Sequence, residues 1–179
     1  MILQFASQNY FQLFSITEKF HIDLGVLASR YHELQIETHP DKFADSTEQE
    51  KLMAVQNTSI LNEAYATLNS PLKRAGYLLY LHDVEVEQVN QDELAMDLLM
   101  EQLQLRESLE EISNDESAQS QLDDLKSRVR DKVERCELSF GINMEEKKYP
   151  GAKELFHELQ FLHKLLSEID TIEERRLGY

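Results

Sequence analysis

Side chains that exchange protons, bind metals or attack electrophiles are few in this 179-residue sequence, and the sharpest cluster is the tripeptide His39-Pro40-Asp41. An imidazole and a carboxylate two residues apart can donate and accept hydrogen bonds, and the proline between them fixes φ and lowers the entropy lost on binding. As bare structure the same residues are a helix stop followed by ordinary loop residues. A catalytic reading fails at the next step, because nothing nearby supplies a nucleophile, an oxyanion-stabilising group or a second metal ligand at helical spacing. The remaining histidines, at 21, 32, 82, 157 and 163, form neither HxxxH nor HExxH pairs and read as surface residues. Cys136 is the single cysteine, which leaves no CxxC pair for zinc, an iron–sulfur cluster or disulfide exchange within one chain. Glu110 and Glu111 are neighbours on a helix, where successive side chains diverge by about 100°, so they do not converge on a cation. No catalytic residue, metal site or cofactor is expected.

A helical frame must position the tripeptide. Tyr10 to Ile16 fits a short helix. Asp23 is a good N-cap and Ile22 can staple onto Leu27, which predicts a helix from there to Thr38. At about 100° per residue, Leu24, Leu27, Tyr31 and Leu34 share its inner side, with Ser29, His32, Glu33 and Glu37 away from it. Pro40 disfavours α geometry at His39, so the helix stops and a loop, His39 to Asp45, follows. A capping box, Thr47 with Glu50 or Ser46 with Gln49, opens the next helix, which carries Met53, Ile60, Leu61, Ala64 and Leu68 on one face and stops near Asn69. Ser70-Pro71, an N-cap with proline at N1, opens a further helix through Leu81. The helices flanking the loop are expected to pack antiparallel and display His39 and Asp41 at their tip.

Residues 82–91 lose the helical period and read as a linker. Beyond them, stretches at Asp92–Ser113, Ser117–Phe140 and Pro150–Glu174, separated at Asn114-Asp115 and by Gly141 to Gly151, predict a three-helix bundle. On the first, Leu94, Leu98, Leu105, Leu109 and Ile112 supply a core stripe, yet Met96, Leu99, Met100 and Leu103 form a second apolar set nearly opposite. A bundle helix has no structural use for both unless a neighbour covers the second, so one set is expected to be exposed or to meet the first domain. Methionine on such a face adapts to a partner's shape. On the last helix Leu155, Leu159, Leu162, Leu166, Ile169 and Ile172 form a stripe, and Phe161, about 120° off its centre, extends the second set. Cys136 shares the middle helix's stripe with Leu122, Leu125, Val129, Val133 and Phe140 and reads as a buried hydrophobe.

Composition agrees with an all-α chain that binds protein. Five Gly and three Pro are too few for a many-turned sandwich or barrel. Glycines at 25, 76, 141, 151 and 178 form neither GxGxxG nor a Walker loop. No window approaches the roughly 18 apolar residues of a membrane span and no signal peptide is visible, which predicts a cytoplasmic protein. With 34 acidic against 18 basic side chains, the net charge of -16 repels phosphate backbones and anionic lipid, so neither nucleic acid nor membrane is an expected partner. The acidic runs 107–116 and 134–146 read as solvated helix faces.

In combination, LASRYHELQIETHPDKF at 27–43 and ILNEAYATLNSPLKRAGYLL at 60–79 closely resemble a J domain, the module by which co-chaperones engage DnaK-type chaperones. RYHELQ before HPDKF, SPLKRAGYLLYL after it, and LLMEQLQLRESLEEI at 98–112 further resemble the HscB family of J-type co-chaperones of iron–sulfur cluster biogenesis, over nearly the whole chain. The resemblance implies a J domain at 1–81, built as a helical hairpin plus short helices, a linker at 82–91, and a C-terminal three-helix scaffold-binding domain at 92–179. It implies a non-catalytic role: the J domain stimulates ATP hydrolysis by the dedicated chaperone HscA, and the C-terminal domain binds the scaffold protein IscU and delivers it.

Carried onto this sequence, His39, Pro40 and Asp41 match the family's signature loop, and Arg30, Tyr31, Gln35 and Lys42 match its flanks. The residues matching the family's scaffold-binding surface are Leu99, Met100, Leu103 and Phe161, with Gln104 and Glu107 at its rim and Met96 beside it. Many J domains carry a dense basic stripe where this chain sets Arg30 and His32 among Glu33 and Glu37, which implies a dedicated partner. Two other readings stay open: a general J-domain co-chaperone whose bundle binds unfolded clients, and a self-associating helical protein whose second apolar set is a homodimer seam. A monomer is expected, with weak self-association as the alternative.

Overall fold

The helix leading to the tripeptide starts where its cap is. The Asp23 carboxylate accepts hydrogen bonds from the amides of Gly25 at 2.8 Å and Val26 at 3.1 Å, satisfying donors that a first turn otherwise leaves open. In the computed structural model, which describes residues 5–86, 96–112 and 117–177, every regular element among the described residues is helical. The chain divides into two compact units, Met1–Leu78 and Leu79–Tyr179.

In the first unit, α1 spans Tyr10–Leu13, α2 Leu24–Thr38, α3 Glu48–Asn69, and α4 starts at Pro71 and runs to Leu81. The short first helix is shorter than expected. Asn9 and Gln12 close a reciprocal capping box at its start, and Ser15, at φ 53, ends it before Ile16. Burying Phe11, Leu13 and Phe14 together requires that turn. Thr47 and Glu50 form the second capping box, so the Ser46/Gln49 alternative is not used. The loop after α2 is not wholly irregular, since Pro40–Phe43 makes a 3₁₀ turn.

On α3, Met53 and Ile60 of the expected stripe are only half-buried and Ala54, outside it, is fully buried; Leu27, Leu61, Ala64 and Leu68 are fully buried, as their spacing predicts. Leu24 is not: it is 47% exposed. Helical side chains lean toward the N-terminus, so the first residue of α2 points past the packed hairpin. A buried Arg74 ties the unit together: its Nε donates to the Phe20 carbonyl at 2.7 Å, a second nitrogen donates to the Leu68 carbonyl, and the guanidinium lies over the Phe20 ring.

The second unit holds α5 at Met96–Glu110, α6 at Ala118–Glu145 and α7 at Tyr149–Leu177. Leu94 and the rest of the expected first helix before Met96, like residues 87–91 of the linker, lie outside the described residues. α6 does not stop at Phe140. It runs through the buried Gly141, because a mid-helix glycine costs only about 1 kcal/mol and the helix continues to pack on α7. The expected separation from Gly141 to Gly151 shrinks to a turn with Lys147 at φ 58. A Cβ on Gly151 would stand 2.7 Å from the Asn143 Oδ1, so glycine there permits the close entry into α7.

α6 and α7 share the main interface of the unit, while α5 packs more thinly. Of the expected α5 stripe only Leu105 is fully buried, and Leu98, Leu109 and Ile112 are half-buried. The α7 stripe is wider than its leucines. Ala152, Phe156 and Leu165 join it, and His157, expected at the surface, is 6% exposed. His163 is half-buried, and the Nε2 of each histidine is buried without a hydrogen-bond partner. With α5 and α6 both against it, α7 buries a broader arc than a single stripe, and the two rings fall inside that arc.

Candidate functional site

At the tip of the α2/α3 hairpin, His39 leaves helical geometry at φ -56, ψ 127 and caps the 3₁₀ turn. Its Nδ1 accepts the Asp41 amide at 3.2 Å and lies 3.6 Å from an Asp41 carboxylate oxygen. A neutral ring whose Nδ1 accepts carries its proton on Nε2, so the outward nitrogen is a donor. The side chains of His39 and Asp41 are 54% and 90% exposed. One imidazole, one carboxylate and a proline-fixed φ thus stand exposed at the tip.

The tip is anchored from below. Buried Thr38 donates to the Leu34 carbonyl at 2.8 Å, and the Thr58 hydroxyl of α3 lies 3.3 Å from the Thr38 carbonyl and 2.9 Å from that of Ala54. The expected flanking residues separate into two groups. Lys42 is exposed within the turn. Tyr31 and Gln35 are instead engaged within the hairpin: the Tyr31 hydroxyl donates to Asn62 Oδ1 at 2.9 Å and accepts from Gln35 Nε2 at 3.1 Å, while its ring stacks on Tyr65. Arg30 pairs with Glu33 at 2.8 Å on the exposed side of α2.

The second surface is on α5. Met96 is 71% exposed, Met100 and Leu103 each 51%. Leu99 is half-buried and Gln104 and Glu107 are exposed, while Phe161 lies half-buried on α7. Ion pairs add to the apolar contacts of α5 and to the α6–α7 seam. The Lys132 ammonium of α6 lies 2.6 Å from Glu101 of α5 and 3.4 Å from Glu158 of α7, joining all three helices, and Arg106 reaches Glu168 at 3.9 Å. Lys126 bridges Asp170 and Glu173, and those carboxylates raise its pKa above the ordinary lysine value. Nothing in the apolar periodicity marks Lys132. The signal that finds it is the series Arg128, Asp131, Lys132 and Arg135 at i, i+3, i+4 and i+7.

Cys136 is buried, as expected, and burial together with the nearby Glu158 pushes its thiol up to about 12. Among the described residues no three His, Cys, Asp or Glu side chains cluster as a metal site.

Residues 94–170 match the family model described as the HSCB C-terminal oligomerisation domain. The chain is 40% identical over 172 residues to the co-chaperone protein HscB homolog of Shewanella denitrificans, covering 94% of this chain and 99% of that one. Among solved structures it is similar to the chaperone HscB from Vibrio cholerae, with TM-score 0.84, 33% identity and coverage of 94% and 99%. It is also similar to the human co-chaperone protein HscB, with TM-score 0.86, 28% identity and coverage of 93% and 83%.

Proposed function

This chain belongs to the HscB family of co-chaperones, and on that premise we propose that it stimulates the ATPase of a dedicated DnaK-like chaperone, HscA, and delivers the iron–sulfur scaffold protein IscU to it. The observation that carries this reading is the exposed His39-Pro40-Asp41 turn, anchored by Thr38 and Thr58. In this reading residues 1–81 act as the J domain, 82–91 as the linker and 92–179 as the scaffold-binding domain. His39, Pro40, Asp41 and Lys42 meet the chaperone directly, and Arg30 flanks them. Tyr31 and Gln35 act from within the hairpin by keeping α2 in register with α3.

Leu99, Met100, Leu103 and Phe161, with Met96, form the apolar face that receives the scaffold, and Gln104 and Glu107 rim it. Holding both proteins at once raises their effective concentration for each other. The chain itself performs no chemistry in this scheme and acts in the cytoplasm; among the described residues no helix is long and apolar enough to cross a membrane. A steady-state ATPase assay on the chaperone tests the proposal: the chain should accelerate hydrolysis, and chain plus scaffold should accelerate it further. No acceleration by the chain would refute it.

The oligomerisation domain named by the matched family model favours a second reading, in which the α5 face pairs two copies. Light scattering at rising concentration tests it, a mass that stays monomeric counting against it.

A further inference from the structure

Between α5 and α6 lies a cleft of about 270 Å³, with Glu101, Gln104 and Leu105 on one wall and Arg128, Asp131, Lys132 and Arg135 on the other. The α6 residues form one helical stripe. Lys132 is spent on Glu101 and Glu158. Arg128 and Arg135, on either side of it, are exposed and make no ion pair among the described residues. In a chain of net charge -16 the cleft sets three cations, Arg128, Lys132 and Arg135, against two carboxylates, Glu101 and Asp131, which leaves it locally positive. On the α5 wall, Gln104 follows the exposed Leu103 and stands one turn from the exposed Met100, so the apolar face runs directly into the cleft.

We propose that this cleft receives a carboxylate-bearing segment of the folded scaffold protein, its acidic side chain taken by the Arg128 and Arg135 guanidinium groups while apolar neighbours dock on Met100 and Leu103. This rests on the reading that the α5 face binds that protein. Guanidinium forks grip carboxylates with fixed geometry, and Gln104 adds a neutral amide that opposes no anion. Without local cations, the overall negative charge of the chain would repel an acidic segment; with them, only a segment placing its carboxylate at this point is admitted.

Calorimetric titration with the scaffold protein at two salt concentrations tests it. The chain carrying Arg128→Glu and Arg135→Glu should bind about tenfold or more weakly, with a flatter salt dependence. The neutral pair Arg128→Gln and Arg135→Gln should fall between it and the native chain while keeping native helicity by circular dichroism. Lys19→Glu with Lys73→Glu makes the same charge change in the first unit and should leave affinity within about twofold. An equal loss in that control would assign the effect to net charge and overturn the proposal. So would native affinity in the Arg128/Arg135 variants alongside lost affinity in Leu103→Ala. Native affinity in Leu103→Ala as well would bring down the scaffold reading beneath it.

Discussion

The two units build their exposed surfaces by opposite means. In the first, a polar turn stands on a hairpin whose buried leucines, Thr38–Thr58 contact and Tyr31–Asn62 hydrogen bond leave it one arrangement. In the second, an apolar face lies on α5, which buries Leu105 fully, half-buries Leu98, Leu109 and Ile112, and adds the Lys132 and Arg106 ion pairs. Recognition through a few directional hydrogen bonds needs positions fixed to fractions of an ångström, whereas recognition through methionine and leucine gains from a helix that can adjust. The polar turn thus rests on the more fully packed of the two frames and the apolar face on the more thinly packed one.

The sharpest way to separate the two surfaces is to remove one at a time. His39→Gln, which replaces the imidazole with an amide of different geometry, should lose essentially all ATPase stimulation with scaffold affinity unchanged. Retained stimulation in the steady-state assay would break the role given to the turn. Replacing Leu99, Met100, Leu103 and Phe161 together with Ala should weaken scaffold binding by about 100-fold or more while stimulation of the chaperone without scaffold persists. Unchanged calorimetric affinity would refute the face.

The contrast in packing has its own test. Leu27→Ala should cost about 3 kcal/mol in urea denaturation, with faster amide exchange spread across α2 and α3. Leu105→Ala should cost less, about 2 kcal/mol, with faster exchange confined to α5. Equal spreading in both would show that α5 is as firmly packed as the hairpin.

The smallest expected effect is in pH. Burial holds the His163 imidazole below its ordinary 6.5. The unfolded chain therefore takes up a proton first as pH falls, so stability is full above about 6.5 and declines below it toward the lower folded value. His163→Gln should flatten that decline between about pH 7 and 5.5, and denaturation curves at both ends read it directly.

Much of the first unit was legible in the sequence because its determinants are local: Asp23, Thr47 with Glu50, and Ser70-Pro71 mark helix starts within three residues of themselves. The exposed half of α5 was legible too, since two apolar stripes on one helix conflict whatever surrounds it. What was not legible depends on neighbours far along the chain. Gly141 reads as a break until α7 packs against it, and His157 reads as surface until α7 is seen between two helices. Arg74 gives no signal at all, because its partners are the backbone carbonyls of Phe20 and Leu68.

The buried thiol of Cys136 carries a consequence for the surroundings in which a cluster-assembly co-chaperone works. Persulfides, ferrous iron and peroxide all react with thiolates, and a thiol held near 12 is ionised at neutral pH to only about one part in 10⁵. Cys136 is therefore unreactive toward such electrophiles and metals at neutral pH. An oxidant pulse that consumes exposed cysteines leaves Cys136 a thiol and falls instead on the exposed thioethers of Met96 and Met100, at the apolar face itself.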